Sequence, residues 1–94
     1  MANHMDHNQA LKELTMMLIY LTSWTEKDPY DYQRSWKGYD FDIIDELAGE
    51  GMISNTKRTK SVVIYDEGIK MAKELLVKYG LDLDFSPPEF REVE

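Results

Sequence analysis

Apolar residues recur at helical spacing near the start of the chain. Between about Asn8 and Trp24, leucines lie three or four positions apart at Leu11, Leu14, Leu18 and Leu21. This spacing predicts a helix, with Met17 on the same face. The second half of the helix, Met16 to Leu21, is apolar on nearly every side. We therefore expect it to be buried on more than one side, either as the central helix of the core or against a partner chain.

The pattern after this helix changes from irregular to helical. Thr25–Gly38 contains a proline between acidic residues and shows no apolar period, so we predict a loop. Asp40 then supplies an N-cap. One stripe of the second helix is apolar, at Phe41, Ile44, Leu47 and Ala48. The helix is predicted from Phe41 to Glu50 and ends at Gly51, because glycine enters the left-handed backbone region without steric cost.

The last third of the chain predicts a β-hairpin followed by a helix. Met52–Ser54 and the β-branched run Ser61–Tyr65 read as strands joined by the polar turn Asn55–Lys60. Asp66 is expected to cap a third helix that ends at Gly80. Three apolar residues beyond it are expected to fold back onto the core: Leu81, Leu83 and Phe85. An acidic tail follows.

Size and composition indicate a single α+β domain. The chain has 94 residues, of which 43% are hydrophobic, enough for one core but not for two. We expect order over residues 8–85 and mobile ends at 1–7 and 86–94. The chain has no cysteine, which favours a reducing compartment. Because neither a leader-like pattern nor a membrane-length apolar run is present, we expect a cytoplasmic protein.

Charge is distributed unevenly along the chain. The formal net charge is -7, which disfavours general attraction to phosphate backbones. The turn at residues 57–60 is the exception, since it holds three bases and no acid. The sequence therefore predicts one small basic patch on an acidic body.

Two stretches carry a family resemblance. Ile44–Ser54, the basic turn, Val62–Ile64 and the pair Glu67-Gly68 together resemble the C-terminal half of a winged-helix domain, over residues 41–79. The motif Arg34-x-Trp-Lys-Gly38, with its surroundings at residues 8–80, resembles a family of small bacterial proteins of unknown function, some of them described as winged-helix-like. The resemblance implies a degenerate winged helix in the order helix, loop, helix, hairpin as the wing, helix, acidic tail. It implies no biochemical activity.

The basic turn is the first candidate site. The resemblance implies that Lys57, Arg58 and Lys60 contact nucleic-acid phosphates, as wing residues do, although three contacts give weak and salt-dependent affinity. The same residues also suit a solvated turn that keeps a hairpin edge from pairing with other chains. The second helix carries five acids and no base between residues 40 and 50, which disfavours reading of the major groove by that helix.

Arg34, Trp36 and Lys37 form the second candidate site. An exposed indole beside two cations suits an anchor for a protein partner or for a nucleic-acid base. In the alternative interpretation Trp36 covers the core where the loop turns into the second helix, and Gly38 makes the bend.

No set of residues in the sequence matches a known catalytic or cofactor-binding arrangement. The two histidines lie near the terminus, and neither a thiol nor a glycine-rich phosphate loop is present. We therefore expect no enzyme, no cofactor, no metal and no small-molecule substrate. The preferred hypothesis is a non-enzymatic protein-interaction module, a homodimer packed through the first or the last helix. The alternative is a nucleic-acid-binding or transcription-associated protein that contacts DNA through the wing.

Overall fold

The three strands of the sheet lie between the first and the last helix along the chain, and the second helix separates β2 from β3. The structure is a computed structural model, and it describes residues 6–27, 31–55, 58–81 and 84–89. Within these ranges there are three helices and one three-stranded antiparallel sheet of order β1-β2-β3. The elements are α1 (His7–Leu21), β1 (Trp24–Glu26), β2 (Tyr32–Trp36), α2 (Phe41–Gly49), β3 (Ser61–Ile64) and α3 (Asp66–Lys78). The α+β class predicted from the sequence is confirmed.

The predicted loop at residues 25–38 is wrong, because half of it belongs to the paired strands β1 and β2. Trp24 lies opposite Arg34, and Glu26 lies opposite Tyr32. The sequence pattern did not reveal strand β2, because the side chains on its inner face are polar. Ser35 is fully buried, and its hydroxyl lies 3.0 Å from that of Thr22. A strand whose buried positions are polar shows no apolar period, although its hydrogen bonds satisfy those positions.

The predicted hairpin of residues 52–54 and 61–65 is reduced to a narrow contact. Ile53 forms an isolated bridge with Ile64, and the Ser54 amide donates to the Val63 carbonyl at 2.9 Å. The main partner of β3 is β2, with Ser35 opposite Val62. The strand order therefore follows the first hairpin, and the winged-helix order is not confirmed.

The sequence predicted four helix-end residues, Asp40, Gly51, Asp66 and Gly80, and the structure confirms three of them. The Asp40 side chain accepts from the amides of Asp42 and Ile43 at 2.9 and 3.2 Å, which confirms the N-cap of α2. Gly51 and Gly80 both have positive φ, +80° and +72°, just beyond α2 and α3. The expected cap at Asp66 is wrong. This residue is the first of α3, and the preceding residue makes no side-chain cap bond.

One hydrophobic core joins the three helices to β3. The contribution of α1 to it is Met16, Met17, Ile19 and Tyr20, whereas Leu14 and Leu18 are 55% and 47% exposed. The expectation that the second half of α1 is buried on more than one side therefore holds only in part. In α2 the buried residues are Ile43, Ile44 and Leu47, and Phe41 is 80% exposed, which corrects the predicted stripe.

The chain beyond α3 returns to the core and to the edge of the sheet. The Phe85 ring meets the Tyr20 ring edge-on, with 5.2 Å between centroids, as the sequence predicted. The Pro88 carbonyl accepts from the Thr25 amide at 2.7 Å. Leu83 and residues 90–94 lie outside the described ranges, and the mobility of the tail stays a prediction. In the described part of the chain, no helix combines the length and apolarity needed to cross a membrane.

Candidate interaction surface

The outer face of the sheet carries two of the three residues of the second predicted site, Arg34 and Trp36. Successive side chains of a strand point to opposite faces, so Arg34 and Trp36 lie on the face opposite the buried Ser35. Trp36 is 57% exposed and therefore does not cover the core. Its ring lies against that of Trp24, with centroids 4.9 Å apart and planes at 49°. The indole pair leaves part of the Trp36 ring available for a partner.

Arg34 is held in place across the sheet. Its Nε donates to the Ser61 hydroxyl at 2.9 Å, and its guanidinium lies 5.9 Å from the centroid of the Tyr32 ring. Both contacts fix the orientation of the planar group. The cation is therefore held on the outer face of β2.

The structure brings the two predicted sites together. The Lys37 amide donates to the Lys60 carbonyl at 3.2 Å, so the end of β2 lies beside the basic turn. The Lys37 ammonium donates to Asn55 Oδ1 at 3.2 Å, and the Asn55 amide donates to Asp45. Arg58 and Lys60 are exposed, whereas Lys57 lies outside the described residues. The separation of 23 residues between Lys37 and Lys60 hid this meeting from the sequence.

Phe41 extends this surface and was missed as a site residue. A cavity of about 360 Å³ lies between Lys37, Phe41, Ile44, Asp45 and Asn55. The sequence did contain a signal that Phe41 is exposed. It follows the N-cap directly, and side chains in the first turn of a helix can lie outside the buried stripe. We call Arg34, Trp36, Lys37, Phe41 and Lys60 the aromatic-basic surface.

Three titratable groups with shifted pKa values lie elsewhere, where α1 meets the end of α3. The Tyr79 hydroxyl donates to Glu13, and Gln9 and Lys78 also donate to this buried carboxylate. These bonds hold the pKa of Glu13 below its usual range, chiefly through Tyr79. The same Glu13 contact raises the pKa of Tyr79 and the pKa of Lys78. The carboxylate accepts from three donors, and the bonds from Lys78 and Tyr79 tie α1 to the end of α3.

A larger groove lies along the C-terminal half of α3. Its volume is about 540 Å³, and Tyr20, Leu76, Val77 and Phe85 supply most of its apolar wall, with Lys73 at the rim. Residues 82–83, which follow one end of this wall, are outside the described ranges. Among the described residues, no three His, Asp or Glu side chains form a group able to hold a metal ion.

Comparison with known proteins supplies a family but no activity. No curated protein and no solved structure was found to match the chain. A family model described as a domain of unknown function (DUF6429) matches residues 7–82, which include all six helices and strands. The chain therefore belongs to the DUF6429 family.

Proposed function

We propose that the protein is a non-enzymatic interaction module that binds an acidic segment of a partner protein through the aromatic-basic surface. The observation that carries this proposal is the meeting of the two cation clusters beside an exposed tryptophan. Lys60 lies next to Lys37, and Trp36 is 57% exposed on the adjoining strand face. Tryptophan and arginine are the residue types that contribute most binding energy at protein interfaces.

Charge identifies the kind of partner. The whole chain carries -7, and the aromatic-basic surface is a local positive region on that background. An acidic segment is attracted to this region and repelled by the rest of the molecule, which gives orientation as well as affinity. The exposed rings of Trp36 and Phe41 supply apolar contact area for one or two side chains of the partner.

Nucleic-acid binding is the second candidate function. It is favoured by the same meeting of the basic turn with Trp36, since stacked bases and phosphates need rings beside cations. The number of cations is small, and the Trp36 ring already contacts Trp24. A track of four or so phosphate contacts gives weak binding that salt abolishes. We therefore rank it below binding of an acidic protein segment.

The test is an NMR titration of the labelled protein with three probes. One is a short glutamate-rich peptide with two central leucines, the second replaces these leucines with serine, and the third is mixed-sequence duplex DNA. We expect the leucine peptide to shift the amides of residues 34–37 and 58–61 with a Kd of about 0.1–1 mM, and the serine peptide to bind several-fold more weakly.

A matched pair of variants decides whether the surface itself is responsible. Trp36→Ser with Lys60→Glu should abolish the shifts. Val77→Ser with Lys70→Glu removes an apolar group that is 79% exposed and reverses an exposed cation, both on α3, and should leave the shifts intact. Equal loss in both variants would reject the surface. Salt-sensitive shifts with DNA but none with peptide would replace the proposal with the nucleic-acid candidate.

A further inference from the structure

The groove along the C-terminal half of α3 contains a buried polar group that the fold leaves without a partner. Tyr20 of α1 forms part of its wall and is only 3% exposed. None of the described residues makes a hydrogen bond with the Tyr20 hydroxyl. Because every fully buried side-chain polar atom of the described chain has a partner, this hydroxyl reaches accessible space, and the space beside Tyr20 is the groove. An unused hydrogen-bond donor therefore opens into it.

Packing fixes the position of this donor. The Phe85 ring meets the Tyr20 ring edge-on, with 5.2 Å between centroids, so the phenol cannot swing freely. Burial raises the pKa of Tyr20, which keeps the hydroxyl protonated at neutral pH. A donor held in place and shielded from water makes a stronger bond than one on an open surface. The groove is thus prepared for a ligand that carries an acceptor.

The rest of the groove is apolar except for one cation. Of the described residues that line it, Lys73 alone is charged, and it forms no ion pair with any other described residue. Val77 and Leu81 of the wall are 79% and 43% exposed, so they offer apolar area that the fold does not use. The volume of about 540 Å³ falls in the range of small-molecule sites, about 300–1,000 Å³.

We infer that this groove binds a small aliphatic carboxylate, with its chain on the apolar wall and its anionic end at Tyr20 and Lys73. A carboxylate only accepts hydrogen bonds when ionised, and both polar groups of the groove can donate to it. The flexible stem of Lys73 lets its ammonium approach the anion. An amine of the same length is repelled by Lys73, and an alcohol leaves this cation without a counter-charge. The site goes beyond the proposed interaction surface and shares no residue with it.

An NMR titration of the full labelled chain with three compounds tests the inference. Octanoate is the probe, octylammonium has the same chain with the opposite charge, and acetate has the carboxylate without the chain. We expect octanoate to shift the amides of residues 73, 76, 77, 80, 81 and 85 with a Kd of about 0.1–1 mM, a modest affinity because the rest of the molecule is acidic. Octylammonium should bind about tenfold more weakly, and acetate should cause no shifts in the groove.

Three variants separate the two polar groups from the apolar wall. Tyr20→Phe keeps the ring and removes the hydroxyl, and should weaken octanoate binding about fivefold. Its urea midpoint should not fall, since the hydroxyl has no partner in the fold to lose. Lys73→Gln should weaken octanoate binding similarly. The matched control is Lys70→Gln, which removes an exposed cation of α3 that does not line the groove, and should bind like the wild type.

Several results would overturn the inference. Equal affinity for octanoate and octylammonium would show that the groove takes up apolar chains without recognising a charge. Wild-type binding by Tyr20→Phe, or a clear loss of stability in this variant, would show that the hydroxyl is not a free donor. Octanoate shifts confined to residues 34–37 and 58–61 would place the anion on the aromatic-basic surface instead. The acidic-peptide titration reads that other surface, so either proposal can fail alone.

Discussion

At the scale of single residues, Gly68 is the one glycine of the described residues whose position leaves no room for a side chain. A Cβ built at this position would collide with the carbonyl oxygen of Met52 and lie 3.1 Å from Cγ2 of Ile64. The first turn of α3 therefore packs directly on the backbone that follows α2. The acidic-glycine pair noted in the sequence has its physical reason here, in a close approach rather than in an unusual backbone angle.

Replacing Gly68 should destabilise the protein although alanine is the better helix former. We expect Gly68→Ala to lower the free energy of unfolding by about 1–3 kcal/mol, because the backbone of residue 52 cannot retreat as a flexible side chain can. Urea titration followed by circular dichroism measures this change.

The control for this variant is Gly49→Ala in α2. A Cβ at Gly49 meets nothing within 4 Å, and the helix gains up to about 1 kcal/mol in propensity. A Gly68→Ala protein at least as stable as the wild type would show that the contact with Met52 relaxes without cost.

At the scale of elements, the hairpin β1-β2 shows how polar side chains can build a strand that a hydrophobic pattern does not reveal. Gln33 donates to the Thr25 hydroxyl at 3.1 Å, and Ser35 pairs with Thr22 beneath the sheet. These bonds replace the apolar contacts that inward positions usually make. The outward positions then carry Arg34 and Trp36, which is why the candidate surface lies on a rigid element.

The two aspartates that the sequence marks as helix caps should behave differently. Asp40→Ala should cost about 1 kcal/mol of unfolding free energy, because two amides of α2 lose their acceptor. Asp66→Ala should cost much less, since Asp66 is the first residue of α3 and makes no cap bond. Thermal unfolding of the two variants measures the difference, and equal losses would contradict the assigned start of α3.

At the scale of the whole molecule, Glu13 links the first helix to the last. Tyr79 and Lys78 reach it from α3, at a separation of 66 and 65 residues along the chain. The pKa of the carboxyl is lowered, chiefly by the Tyr79 hydroxyl. A carboxyl whose pKa is lower in the folded than in the unfolded state contributes stability above its ordinary pKa of about 4.3, and loses it as the pH falls through the folded value.

Glu13→Gln should therefore remove an acid-sensitive part of the stability. We expect a loss of about 1 kcal/mol near neutral pH, which shrinks as the pH falls through the lowered pKa of the folded-state carboxyl, because the wild-type side chain is then protonated too. Urea midpoints at several pH values provide the measurement. Glu74→Gln removes a carboxylate from the exposed side of α3 and should follow the wild-type pH profile. If the loss of unfolding free energy in Glu13→Gln did not vary with pH, the charge of the carboxylate would contribute nothing to stability.

Local sequence signals determined the parts of the fold that depend on short-range chemistry. The range of α2, the cap at Asp40 and the left-handed glycines at 51 and 80 follow from side chains within a few residues of one another. The residues of the candidate surface could also be named, since an indole beside cations is visible in the sequence. The proximity of Lys37 to Lys60 could not be predicted, because it depends on the pairing of β2 with β3.

Tertiary packing alone decided the use of the apolar residues of α1. The leucine spacing shows that an apolar face exists, and the methionines and Ile19 form another. A period of 3.6 residues predicts that a helix has an apolar face, but it does not predict which neighbouring element covers that face. Helices α2 and α3 cover the side of Met16 and Tyr20, and on that side Lys12 pairs with Glu46 of α2 and Glu13 with Lys78 of α3. Leu14 and Leu18 are left outward by the same packing, so the tertiary structure decides which apolar residues of this helix stay exposed.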